Sequence, residues 1–128
     1  RFCRIVKTED SVRIIGEGGP SFLGTAQVKF NGPLTLKLRI RSAVGGAGRV
    51  QWRTDGQEAF PESGQVVAFD LPASTTWQDI TVQTPIQGKV TVIRLFLPAE
   101  AAAVEVQSIR FLDESGREKS WNFAEPTP

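Results

Sequence analysis

Leu34-Thr35-Leu36-Lys37-Leu38-Arg39-Ile40-Arg41-Ser42 alternates without a fault. Leu34, Leu36, Leu38 and Ile40 fall on one side, and Thr35, Lys37, Arg39 and Arg41 on the other. Successive side chains of a strand point to opposite faces, so this pattern specifies a strand with one buried and one wet side. A helix would scatter the same leucines around its circumference. Gly32-Pro33 opens the segment, and Gly45, Gly46 and Gly48 follow it as breakers. The buried side needs a second layer to cover it. The wet side carries the cations Lys37, Arg39 and Arg41.

The neighbouring sequence reads as more short strands that can supply that layer. Strands are expected at residues 2–7 and 12–16, around the turn Thr8-Glu9-Asp10-Ser11, and at residues 22–30 after the loop Glu17-Gly18-Gly19-Pro20-Ser21. In residues 49–54, Val50 and Trp52 share one face, Gln51 and Arg53 the other. A loop from Asp55 through Pro61 to Gly64 leads to a strand at residues 67–71, closed by Pro72. Residues 77–84 place Ile80 and Val82 inward. Gln87-Gly88-Lys89 is a tight turn. Residues 90–97 are apolar on both faces except at Arg94, as in a central strand covered on both sides. Residues 99–103 have the length and composition of one helical turn. In residues 104–113 the apolar parity shifts between Val106 and Ile109, which a bulge near Gln107-Ser108 explains. Asp113-Glu114-Ser115-Gly116 turns into a last strand at residues 119–123. Nine or ten short strands at spacings of roughly eight to twelve residues specify an all-β sandwich or barrel. No repeat or internal linker appears, so residues 1–123 are expected to form one domain, with 124–128 as a tail or linker.

Composition excludes several functions. The chain has 128 residues, enough to bury a core without staples, with 40 % hydrophobic and 23 % charged residues. A net charge of +1 gives no global field toward nucleic acid or membrane, and no apolar run has membrane-spanning length. No secretory leader is visible; the chain opens at Arg1 and lacks methionine, so a piece of a longer protein is expected. Cys3 is the only cysteine, which rules out an internal disulfide and a cysteine-based zinc site. The absence of histidine removes Ser-His-Asp and Cys-His catalysis and every His-ligated metal site.

What remains is chemistry on the surface. Gly16-Glu17-Gly18-Gly19 is not followed by a helix, and Pro20 stands where a phosphate loop needs amides, so it reads as a loop. The acid pairs Glu9-Asp10 and Asp113-Glu114 lie in turns, where acids cap backbone amides; carboxylate catalysis would need two of them across a cleft. Glu9, Asp10 and Asp113, with carbonyls near Gly18, are candidate ligands for a structural calcium if the chain ends meet. Lys37, Arg39 and Arg41 share a strand face, while Arg49, Arg53, Arg94 and Arg110 lie in other strands or at their ends. Where such residues fall on neighbouring strands they suit sulfate or carboxylate groups, which arginine grips with paired donors. Trp52 and Trp77 are candidate platforms for sugar rings. The plainer readings are that strand cations are solvated edge protection and that tryptophans beside apolar residues, Trp52 and Trp121 above all, are core.

The segment from Gly32 to Ser42, followed by Gly45-Gly46, Gly48-Arg49-Val50-Gln51-Trp52-Arg53, resembles the C-terminal β-sandwich of planctomycete and related marine bacterial sulfatases. Trp77-Gln78-Asp79-Ile80-Thr81-Val82 is similar to that family's W-Q-E-[IV]-T-V strand. Gly88-Lys89 through Ile93-Arg94-Leu95 is similar to its G-x-L-x-x-[IL]-R-L strand. Val104-Glu105-Val106 through Ile109-Arg110-Phe111-Leu112-Asp113, with Gly116 and Trp121-Asn122-Phe123, resembles its closing segment. Gln107-Ser108 and Asn122 depart from the usual Asp-Trp and Asp. The resemblance spans residues 22–123. It implies a jelly-roll of the galactose-binding type, a structural calcium, a periplasmic or extracellular location, and attachment to a sulfatase. The sulfatase nucleophile motif is absent, because Cys3 is followed by Arg4-Ile5-Val6 with no proline.

The expectation is therefore a non-catalytic carbohydrate-binding module using Lys37, Arg39, Arg41, Trp52, Arg53, Trp77 and Arg94, with polysaccharide, sulfated polysaccharide included, and a parent sulfatase as partners. The alternative is a structural domain that packs on the parent and exposes an apolar patch near Trp52, Phe60 or Phe69.

Overall fold

The computed structural model describes residues 3–19, 21–57, 60, 64–86, 88–99 and 102–124, with only the backbone of residues 26 and 27. Ten strands follow in order: β1 (Cys3–Lys7), β2 (Val12–Gly16), β3 (Phe22–Asn31), β4 (Leu34–Ser42), β5 (Gly46–Thr54), β6 (Val66–Leu71), β7 (Ser74–Thr84), β8 (Lys89–Phe96), β9 (Val104–Asp113) and β10 (Glu118–Asn122). They form two antiparallel sheets. One runs β1-β2-β9-β4-β7 with β10 also on β9; the other runs β3-β8-β5-β6. The result is the expected jelly-roll β-sandwich, without a helix among the described residues. Gln87, residues 100–101 and residues 125–128 lie outside the described residues, and with them part of the expected turn, helical turn and tail.

The alternation that opened the sequence is the centre of the first sheet. Leu34, Leu36, Leu38 and Ile40 of β4 are at most 2 % exposed and join Val50 and Trp52 of β5 and Ile93 and Leu95 of β8 in one core. Each such side chain contributes about 1.5–3 kcal/mol by leaving water. β4 lies between β7 and β9, so both of its edges are paired.

The parity shift in β9 is a bulge at Gln107. Ile40 faces Val106 and Arg39 faces Ser108, leaving Gln107 as the extra residue. Its position marks a change of neighbour. Residues 104–106 pair with β2, residues 108–112 pair with β10, and both partners use the same edge of β9. The Gln107 carbonyl accepts a 2.8 Å hydrogen bond from the Phe123 N–H, which fixes the end of β10 at the bulge.

The glycines after β4 divide. Gly45, at a φ of +67°, lies in the break between the strands as expected, but β5 begins at Gly46 and Gly48 sits within the strand, opposite Phe69 of β6. A Cβ at Gly48 would collide with the Phe69 ring, so the glycine lets the ring lie against the strand. β7 likewise begins at Ser74, three residues before Trp77.

Candidate functional site

The outward side of β4 forms the middle of a polar face. Thr35, Lys37 and Arg39 stand in register with Gln83, Thr81 and Asp79 of β7, and with Leu112, Arg110 and Ser108 of β9. Shallow depressions follow this face from Pro33 and Thr35, past Lys37 and Ser108, to Trp121 and Asn122.

The arginines of this face are paired, which corrects the expectation of a basic patch for Arg39 and Arg41 but not for Lys37. Arg39 Nη1 donates to both Asp79 oxygens at 3.1 and 3.0 Å, and its Nε donates to Gln107 Oε1 at 2.7 Å. Arg41 donates from Nε and Nη2 to the two oxygens of Glu105, each at 3.3 Å, and its guanidinium lies 4.3 Å over the Trp77 ring. Arg110 donates to Glu118 at 2.6 and 3.2 Å. The Glu118 hydrogen bond, and then its charge, push the Arg110 guanidinium above its ordinary pKa; the Arg110 hydrogen bond holds the Glu118 carboxyl below its own. Exposed pairs of this kind add little stability. They do fix the planes of the guanidinium and carboxylate groups across the four strands β7, β4, β9 and β10. Among the described residues the Lys37 ammonium has no carboxylate partner, and it faces Arg110 across the β4–β9 ladder.

The candidate residues fall in three places. Lys37, Arg39, Arg41 and Trp77 share the β4–β7 face, with Trp77 half-buried at its end. Trp52 is withdrawn as a sugar platform: its ring is 3 % exposed, on the inner side of β5 opposite Ile93. Arg53 and Arg94 lie on the outer side of the other sheet. There Arg94 Cζ lies 4.7 Å from the Phe22 ring centre and 4.1 Å from that of Phe60; Arg53 Cζ is 5.3 Å from Phe60 and Arg49 Cζ 3.9 Å from Phe96.

Asp79, Glu105 and Gln107 were not among the candidates, although Asp79 shares parity with Trp77 and Thr81 opposite Ile80 and Val82. That signal was available. Glu105 was less accessible, because its partner Arg41 is 64 residues away.

Glu9, Asp10 and Asp113 do not make a calcium site together. Gln107 Nε2 donates to the Asp10 carbonyl at 3.4 Å, which places the β1–β2 turn beside the middle of β9. Asp113 is six residues further along that strand, about 20 Å away, whereas calcium ligands lie within about 2.6 Å of one ion. The Asp113 carboxylate instead accepts hydrogen bonds from the N–H groups of Asn31, Ser115 and Arg117 and from the Ser115 hydroxyl. Among the described residues no three acidic or cysteine side chains gather as a metal site.

No protein-family model and no curated protein matches this chain. The architecture is that of solved carbohydrate-binding modules. The C-terminal family 6 module of LamC, a marine laminarinase from Zobellia galactanivorans, superposes with a TM-score of 0.59 at 14 % identity, over 87 % of this chain and 88 % of that one. The family 29 module CBM29-2 gives 0.58 at 12 %, over 83 % and 73 %. The module CBM6cm-2 of Cellvibrio mixtus lichenase 5A, solved with cellotriose, gives 0.54 at 16 %, over 86 % of each chain. At these identities the likeness is one of fold.

Proposed function

We propose that this chain is a non-catalytic carbohydrate-binding module whose ligand, a polysaccharide, lies along the β7-β4-β9 face, and that its parent is a sulfatase. The observation that carries the reading is the Arg41–Trp77 stack beside the Arg39–Asp79 and Arg41–Glu105 pairs. Planar donors and acceptors locked in place across three strands suit sugar hydroxyls, because little side-chain freedom is lost on binding. The fold of the LamC and lichenase modules supports the reading, and the motif resemblance supports the sulfatase parent. Affinity electrophoresis through laminarin, lichenan and soluble cellulose derivatives tests it. Retardation by at least one is expected, and Trp77→Ala should weaken it about tenfold, the loss of one stacked ring and of the support under Arg41. No retardation by any polysaccharide, or full retardation of Trp77→Ala, rejects the reading.

A second reading, packing on the parent enzyme, is favoured by a different observation. An apolar cavity of about 190 Å³ opens between the sheets, lined by Leu23, Ile93, Leu95, Ile109, Phe111 and Trp121, with the exposed Ile5 of β1 at its wall. Trp52, Phe60 and Phe69, where an exposed patch was expected, are buried or half-buried. A parent enzyme that stays folded and active after deletion of this module rejects that role.

A further inference from the structure

The other outer face, on β3-β8-β5-β6, has a different composition. Along it guanidinium groups and phenyl rings form one continuous row: Arg49 over Phe96 at 3.9 Å, Phe96 against Phe22 at 5.0 Å, Phe22 under Arg94 at 4.7 Å, Arg94 over Phe60 at 4.1 Å, and Phe60 by Arg53 at 5.3 Å. The register explains the ladder. Arg94 faces Gln51, Arg49 faces Phe96 and Arg53 faces Val92, so Arg94 stands diagonally between the two β5 arginines. Diagonal neighbours are about 7–8 Å apart, and Arg49 and Arg53, four residues apart on one strand, are separated by about 13 Å.

A guanidinium laid flat on a ring is held by the ring's negative face while its in-plane N–H donors stay open to a ligand. The contrast with the β4 face is in the partners. There Arg39, Arg41 and Arg110 each grip a carboxylate. Among the described residues the Arg49 and Arg94 side chains make neither hydrogen bond nor ion pair, and their contacts are the rings. Among the described residues of these four strands Asp70 of β6 is the carboxylate; it faces Ala47, two ladder positions from Arg49, and no ion pair joins it to Arg49. The phenyl faces turned to the guanidinium groups are already covered, which disfavours the base stacking that single-stranded nucleic acid needs.

We infer that this face is a second binding surface, which takes the sulfate or carboxylate groups of an anionic polysaccharide in the edges of Arg49 and Arg94. The inference rests on the reading of the chain as a glycan binder, but it uses residues on the opposite side of the sandwich.

The test is affinity electrophoresis of the whole chain at low salt through carrageenan (sulfated), alginate (carboxylated) and laminarin (neutral), with duplex DNA as a competing polyanion. The expected result is retardation by carrageenan or alginate that falls about tenfold or more in Arg49→Gln/Arg94→Gln, while the charge-matched control Lys29→Gln/Lys89→Gln keeps it. Arg94→Lys, which keeps charge but loses paired donors, should fall nearly as far as Arg94→Gln. Circular dichroism melts check that the variants remain folded, and Arg94→Lys carries the test if the double variant does not. Equal retardation of wild type and the arginine variants, equal loss in the lysine control, or DNA bound as tightly as the polysaccharides overturns the inference. Retardation by laminarin, lichenan or a cellulose derivative without anionic binding overturns this inference alone; no retardation by any of these, by carrageenan or by alginate overturns both.

Discussion

Replacing Asp113 by asparagine should cost about 2 kcal/mol. The side chain is 8 % exposed at the end of β9. Oδ1 accepts from Ser115 N–H at 3.0 Å, Ser115 Oγ at 2.8 Å and Arg117 N–H at 2.8 Å, while Oδ2 accepts from Asn31 N–H at 3.0 Å. The carboxylate therefore ties the β9–β10 turn to the β3–β4 turn, 82 residues away in sequence. Asparagine can keep the first three acceptances, but it turns an NH₂ toward the Asn31 N–H. One charge-assisted bond is lost and two donors face each other, which costs about 1.5–3 kcal/mol; water at the turn relieves part of it. Asp113→Ala leaves all the donors unmatched and should cost more, on the order of 3 kcal/mol after the same relief. Urea unfolding should show lower midpoints at unchanged slope.

The pH dependence has a definite sign. Burial pushes the Asp113 carboxyl up, but the hydrogen bonds from Asn31, Ser115 and Arg117 outweigh it and hold the pKa below its ordinary value. A group depressed in the folded state stabilises above its unfolded pKa of about 3.9, and this stability is lost as pH falls through the folded value. The gap between wild type and Asp113→Asn should be full at pH 7 and shrink below about pH 4. Equal midpoints at pH 7, or a gap unchanged at pH 2, would refute the hydrogen-bond account. A chelator that lowers the wild-type midpoint as far as the substitution does would refute it too, in favour of a metal on Asp113.

Leu36, fully buried at the middle of β4, should cost about 2–5 kcal/mol when cut to alanine, read as the urea midpoint; a loss under 1 kcal/mol would deny it a place in the core. Deleting Gln107 removes the bulge but keeps both halves of β9 facing the core, because Val106 and Ser108 then follow one another opposite Ile40 and Arg39 in an unbroken ladder. A cooperative melt is expected, at a midpoint lowered by the lost bonds from Arg39 and the Phe123 N–H to Gln107; loss of the cooperative transition would contradict this parity argument.

Much of the sandwich was legible because burial with a period of two is local. Leu34 to Ile40 displayed it without interruption, and the fault in parity between Val106 and Ile109 located the bulge. Trp52 was legible too, since it shares parity with Val50. The charge balance of the β4 face was not. Whether Arg39 and Arg41 are open or paired depends on Asp79 and Glu105, and those partners are chosen by a ladder that only the folded chain defines. The Arg–Phe ladder is still more remote, since it draws on β3, β5, β8 and a loop. Asp113 was read as a possible metal ligand because an acidic turn gives the same sequence signal whether its oxygens hold a cation or the backbone.

The place of β9 also bears on how the protein is made. β4 leaves the ribosome early, yet one of its edges waits for β9, whose first residue is 104; β2 waits for the same strand. Until most of the chain has emerged, the leucine row of β4 has only a partial sheet to lie in. Nascent molecules stalled before β9 should be sticky and protease-sensitive, and pulses of slow translation would help only if placed after that strand is out.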